Sequence, residues 1–154
     1  MWITPPNKDN QMLKKIILWS VGTFVLLQAI QIEVVTPKQV EAKTEITAPT
    51  EMMGMLKTSC YDCHSYETKM PWYGHVAPLS WSVKSHINDG RAWLNFQEWN
   101  NYSTNKQQKL YKEIAKTISL RMPLPMYLSL HEEAKLTRKQ RLQIRKWAES
   151  NIKE

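Results

Sequence analysis

At 154 residues, with 42% hydrophobic and 23% charged side chains, the chain has the composition of one globular domain with extensions. A formal net charge of +7 and a pI near 9.4 would suit nucleic acid. However, the basic residues are scattered through helical patterns with interleaved Glu, and no nucleic-acid motif is present, so that partner is excluded.

The first element is an N-terminal segment. Residues 1–15 form a short polar and basic tail ending in Lys14-Lys15, followed by the uncharged run Ile16–Ile30. Positive residues ahead of an apolar run fit a membrane anchor or a signal peptide. The run is shorter than the ~20 residues that a spanning helix prefers, but flanking residues such as Ile32 and Val35 extend it. No small-x-small cleavage site follows, because Ala29 lacks a small partner two positions earlier. The expectation is therefore an uncleaved transmembrane anchor over 16–35, with a cleaved signal as the alternative. Either one puts the following domain on the outer, periplasmic side of the cell membrane. Residues 36–49, broken by Pro37 and Pro49, read as a linker.

The folded domain is expected over 50–154. Thr50 caps a helix over about 51–59, with Met52, Met55, Leu56 and Ser59 on one side. Pro71 and Pro78 make 65–79 a loop anchored by Trp72, Tyr73, Val76 and Leu79. A helix over about 79–89 ends at Gly90 as a left-handed stop. Residues 95–99 form a short helical turn. Ser103 or Thr104 opens a helix over about 105–119 with the apolar stripe Leu110, Ile114, Ala115 and Ile118. Residues 121–136 are broken by proline, and Thr137 caps a last helix over about 138–152. No strand alternation and no repeat is present, so the fold class is all-α.

The chemistry lies between the first two helices of that domain, in Cys60-Tyr61-Asp62-Cys63-His64, which contains the only two cysteines. CxxCH is the attachment motif of c-type haem. Two thiols one short turn apart reach the two vinyl groups on one porphyrin edge, and the following imidazole then lies under the iron. One covalent haem c is expected, held by Cys60 and Cys63 with His64 as the proximal iron ligand. A redox dithiol would want a βαβ setting, and the surroundings are helical. A zinc site would want a second pair of ligands, and none stands at a suitable spacing.

For the other side of the iron the candidates are Met122, Met126, His131 and the pair His75/His86. Met122 is favoured because Pro123 stiffens its loop, which lies between two helices where a lid must fold. Eight methionines mean that type alone singles out none of them. Pro71 or Pro78 is a candidate carbonyl acceptor for the His64 ring proton. Arg91 is a candidate partner for a haem propionate. Trp72, Tyr73, Trp81 and Trp99 are candidate crevice walls, as seven Trp and six Tyr against two Phe suit an apolar pocket with a polar rim.

The chain order of helix, CxxCH, Pro-rich loops, Met-Pro and last helix resembles class I c-type cytochromes. More closely, the runs CYDCHSYETKMPWYGHVAPLSW, INDGRAWLNFQEW and RMPLPMYLSLHEEAKLT resemble the haem-binding domain family of small single-haem cytochromes over about residues 51–152. The resemblance implies Met122 as distal ligand and a module standing alone behind an anchor or joined to cytochrome and peroxidase domains. The chain departs from that pattern at Arg121, where an acidic residue is expected before Met-Pro. With His/Met ligation the expected function is electron transfer to redox partner proteins rather than an enzyme's. The alternative is a peroxidase-associated or ligand-sensing module with an open iron.

Overall fold

The computed structural model describes residues 8–37 and 41–153. Residues 1–7 of the polar tail and 38–40 of the linker lie outside the described residues. Seven α-helices are described: α1 (Lys8–Leu27), α2 (Thr50–Ser59), α3 (Tyr61–His64), α4 (Leu79–Trp93), α5 (Thr104–Leu120), α6 (Pro125–Leu128) and α7 (Arg138–Ser150). Four 3-10 turns join them, and no strand occurs among the described residues, as the all-α reading requires.

The chain divides into two compact units. The first contains α1, its exit to Glu33, and Pro71–Ser85. Here the Gln28 amide grips the loop at Ala77. Its Nε2 donates to Ala77 O at 3.2 Å, and its Oε1 accepts Ala77 N–H at 2.9 Å. Trp81 Nε1 donates to Ile30 O at 2.7 Å. Trp72, Tyr73, His75 and Trp81 all belong to this unit.

The spanning anchor expected over 16–35 is not found. Among the described residues no helix is long and apolar enough to cross a membrane. The physical reason is that α1 begins with Asp9, Lys14 and Lys15 and ends at Leu27. Its apolar part, from Ile16, rises only about 18 Å at 1.5 Å per residue, against ~30 Å of bilayer hydrocarbon. The apolar side chains of α1 are nonetheless exposed, Trp19 at 75% and Leu26 at 73%.

The second unit, Val34–Met70 with His86–Glu154, holds the main core. Helices α5 and α7 pack along each other, and α2 closes the layer. Their apolar stripes bury Met52, Leu56, Leu110, Ile114, Ile118, Ile144 and Ala148. Both long helices carry the caps read from the sequence. The Ser103 side chain accepts from Lys106 N–H at the start of α5, and Thr137 and Gln140 form a capping box at the start of α7. Part of the expected linker belongs to this core: Ile46 is buried and its N–H donates to Phe96 O at 2.8 Å.

Gly90 does not stop α4 with a left-handed residue. The helix runs on to Trp93, and no glycine among the described residues has positive φ. A Cβ on Gly90 would lie 2.5 Å from Cys63 O and 3.2 Å from Cys63 C, so the glycine is what lets α4 rest on the backbone of the CxxCH segment.

Candidate functional site

The CxxCH segment is wound as a tight double turn. Cys60 ends α2 and begins α3, and His64 N–H returns to Cys60 O at 2.9 Å. This winding brings Cys60, Cys63 and His64 to the wall of one cavity of about 370 Å³, within the range of small-ligand pockets. The other walls are Leu56 from α2, Leu94 and Phe96 after α4, Ile114 and Ile118 from α5, and Ile144 from α7. The segment Met122–Leu124 and Tyr127 complete it.

His64 is held by the end of α4. Its Nδ1 lies 3.1 Å from Gly90 O and 2.9 Å from Leu94 O. Both partners are carbonyls and only accept, so Nδ1 carries the proton and Nε2 keeps its lone pair. The negative end of the α4 dipole favours that N–H. Burial pushes the imidazole below its ordinary pKa, with the two carbonyl bonds opposing, so the ring is a neutral metal-ligand donor. Phe96 meets the ring edge-on at 6.2 Å and stacks on Tyr61 at 5.5 Å. The acceptors for Nδ1 are thus Gly90 and Leu94, not Pro71 or Pro78 as expected.

Burial raises both thiols, Cys60 to about 12 and Cys63 to about 11, with the Asp62 carboxylate adding to the latter. A reactive dithiol instead lowers its thiol pKa. Among the described residues no three His, Cys, Asp or Glu side chains gather as a metal-holding group.

The far-side candidates are placed differently. Met122 lines the cavity, and so does His86. Met126 is 58% exposed and outside the lining. His131 also lies outside it, stacked on Tyr127 at 4.2 Å with Nδ1 2.9 Å from Glu133 Oε1. His75 belongs to the first unit and is exposed.

Arg91, expected at a propionate, gives its guanidinium to the protein. Nε donates to Ser65 O at 2.7 Å, Nη1 to Val35 O at 2.8 Å, and Nη2 to Thr68 Oγ1 at 2.9 Å. It does not line the cavity, and Arg121 does. Of the expected wall aromatics, Trp72, Tyr73 and Trp81 belong to the first unit and Trp99 is in the core, while Trp93 is the wall tryptophan.

Three groups were not singled out from the sequence. Asp62, inside the motif, accepts the Tyr127 hydroxyl on Oδ2 at 2.7 Å and Lys69 N–H on Oδ1 at 2.9 Å. Tyr127 thereby ties α6 to the motif. Glu113 on α5 is also in the lining. Pairings such as Asp62 with Tyr127 leave no local spacing signal.

The donor set tests the fit of a haem directly. One neutral imidazole with a free Nε2, two thiols on the same wall, a thioether and apolar sides make a haem pocket in an all-helical domain. A family model described as a haem-binding domain matches residues 22–150. The chain belongs to that family and is a haem-binding protein. No match is found among curated proteins or among solved structures.

Proposed function

We propose that the protein is a small monohaem c-type cytochrome that carries electrons between redox partners outside the cytoplasm. The supporting observation is that Cys60, Cys63, His64 and Met122 all line one cavity. Haem, when bound there, supplies one-electron exchange at its iron. The chain's part is to hold and tune it. Cys60 and Cys63 give thioether bonds, His64 gives Nε2, burial disfavours charge on its imidazole, and the carbonyls of Gly90 and Leu94 fix its tautomer and orientation. Met122 offers the soft second ligand, which favours Fe(II) and raises the potential. The apolar walls limit water at the iron. Arg121, rather than the engaged Arg91, is the cation available to a propionate. Lys14-Lys15 ahead of the exposed apolar part of α1 supports export of the domain, with the N-terminal segment at the membrane.

The test has two parts. Haem should stay with the polypeptide through acid-acetone extraction and denaturing electrophoresis, and Cys60→Ala with Cys63→Ala should release it. Complete extraction from the unaltered protein refutes covalent attachment. The ferric protein should show the weak far-red band of a thioether ligand, and the ferrous protein should resist carbon monoxide. Met122→Ala should lose the band, admit carbon monoxide and lower the potential, whereas Met126→Ala should leave all three in place. Fast carbon monoxide binding and peroxide turnover by the unaltered protein would replace the carrier by an open-iron sensor or enzyme.

A further inference from the structure

We infer that Arg141 on α7 is the positioning residue that holds the Met122 loop over the haem site, an inference that rests on the reading of Met122 as second iron ligand. Its Nη1 donates to Ile118 O at 2.7 Å and to Met122 O at 2.5 Å. Ile118 O is one of the last carbonyls of α5, which ends at Leu120 and leaves that carbonyl without a partner in its own helix. One nitrogen of the guanidinium therefore joins the end of α5 to the carbonyl of the ligand residue itself. The other polar end of Met122 is also tied, because its N–H donates to Thr117 O at 3.0 Å. Pro123, which follows, has no N–H and a fixed φ. With both backbone groups bonded and the next residue restrained, the direction in which the Met122 side chain leaves the backbone is set by α5 on one side and Arg141 on the other.

Arg141 is itself well placed. Its N–H donates to Thr137 O at 3.0 Å in the first turn of α7, the turn fixed by the Thr137–Gln140 capping box. Ile144, three residues on, is fully buried and lines the same cavity. The rigid part of α7 thus lies against the haem pocket, and the arginine reaches from it to the loop. A cationic donor on two carbonyls at a helix C-terminus is favoured by charge as well as by hydrogen bonding. Lysine can present a charge there but not the planar, pre-ordered guanidinium.

The experiment uses the full haem-loaded chain with Arg141→Ala, Arg141→Lys, Met122→Ala and the surface control Lys139→Ala. Three readouts are taken: the ferric far-red band, the rate of carbon monoxide binding to the ferrous form, and the unfolding midpoint. Arg141→Ala should keep its haem but weaken the band and speed carbon monoxide binding on the order of tenfold, as expected for loss of charge-assisted hydrogen bonds. Arg141→Lys should fall between Ala and the unaltered protein, and Lys139→Ala should match the unaltered protein. A purely structural role would lower the midpoint while leaving band and rate unchanged well below it, and that result overturns the inference alone. If Arg141→Ala does not load haem, Arg141→Lys decides, and a band and rate equal to the unaltered protein overturn the inference. A band that is absent from the unaltered protein, or that survives in Met122→Ala, overturns the ligand reading and this inference with it.

Discussion

Substituting Gly90 by alanine adds one methyl group at the point where α4 meets the CxxCH segment. That carbon would sit 2.5 Å from Cys63 O, 3.2 Å from Cys63 C and 3.3 Å from Cys63 Cβ. The close atoms are mostly backbone and cannot swing aside. Restoring ordinary contact needs a displacement of roughly 0.7 Å, given optimal non-bonded separations near 3.5 Å and tolerance of slightly less. The His64 bond to Gly90 O, now 3.1 Å, would then stretch beyond hydrogen-bonding range, and the 2.9 Å bond to Leu94 O would weaken. Overpacking costs about 1–3 kcal/mol, and an unsatisfied buried donor about 1–3 kcal/mol. Alanine's better helix propensity returns about 1 kcal/mol. The net expectation is a loss of about 1–5 kcal/mol, measured by denaturant unfolding of the haem-loaded protein. The internal control is Gly54 in the middle of α2, where an added Cβ meets nothing within 4 Å. Gly54→Ala should raise stability by up to about 1 kcal/mol. If Gly90→Ala is stabilised as much as Gly54→Ala, the close approach of α4 to Cys63 is not real, and the account of how His64 is oriented fails.

Phe96→Ala should cost about 3–5 kcal/mol in the same unfolding assay, because Phe96 is only 2% exposed and contacts both Tyr61 and His64. A cost below that of an exposed substitution would contradict its place in the core. Tyr127→Phe should cost about 1–2 kcal/mol by removing the hydroxyl bond to Asp62 Oδ2. It should also speed carbon monoxide binding, since α6 would be released from the motif. Burial and the Asp62 carboxylate both raise the Tyr127 hydroxyl, so it stays protonated and the effect should not vary across neutral pH.

What could be read in advance followed rules tied to residue type. Ser103 and Thr137 announce helices because a short hydroxyl side chain can satisfy a free N–H, and α5 and α7 start one residue after each. The CxxCH spacing marks Cys60, Cys63 and His64 as one group, and all three line one cavity. Gly90 departs from the expected cap because a glycine near a helix end ordinarily signals a left-handed stop, whereas here it answers a contact with a segment far off in sequence. Helices α3 and α6, of four residues each, are too short for a periodic stripe to form. The acceptors for His64 were illegible for another reason: a backbone carbonyl has no residue identity, so nothing in the letters at 90 and 94 announces it. Arg91 and Arg121 look alike in sequence, and only the fold shows that the first is occupied by Ser65, Val35 and Thr68.

The two segments proposed to carry the iron ligands are secured by different means, and this has a consequence for how they respond to change. His64 is gripped by main-chain carbonyls at the end of a helix, within a segment whose own N–H groups close on Cys60. No side-chain substitution removes those acceptors; only a change in how α4 lies on Cys63 can do so. The Met122–Tyr127 segment is gripped on its free side by side chains, Arg141 on the Met122 carbonyl and Tyr127 on Asp62. Each of those bonds can be deleted alone while the helices stay packed. Damage on the histidine side should therefore register chiefly as lost stability of the whole domain. Damage on the methionine side should register chiefly as easier opening of that segment at nearly native stability. On the proposed reading of an electron carrier, the second kind of bond is the one that would keep the iron closed to small ligands.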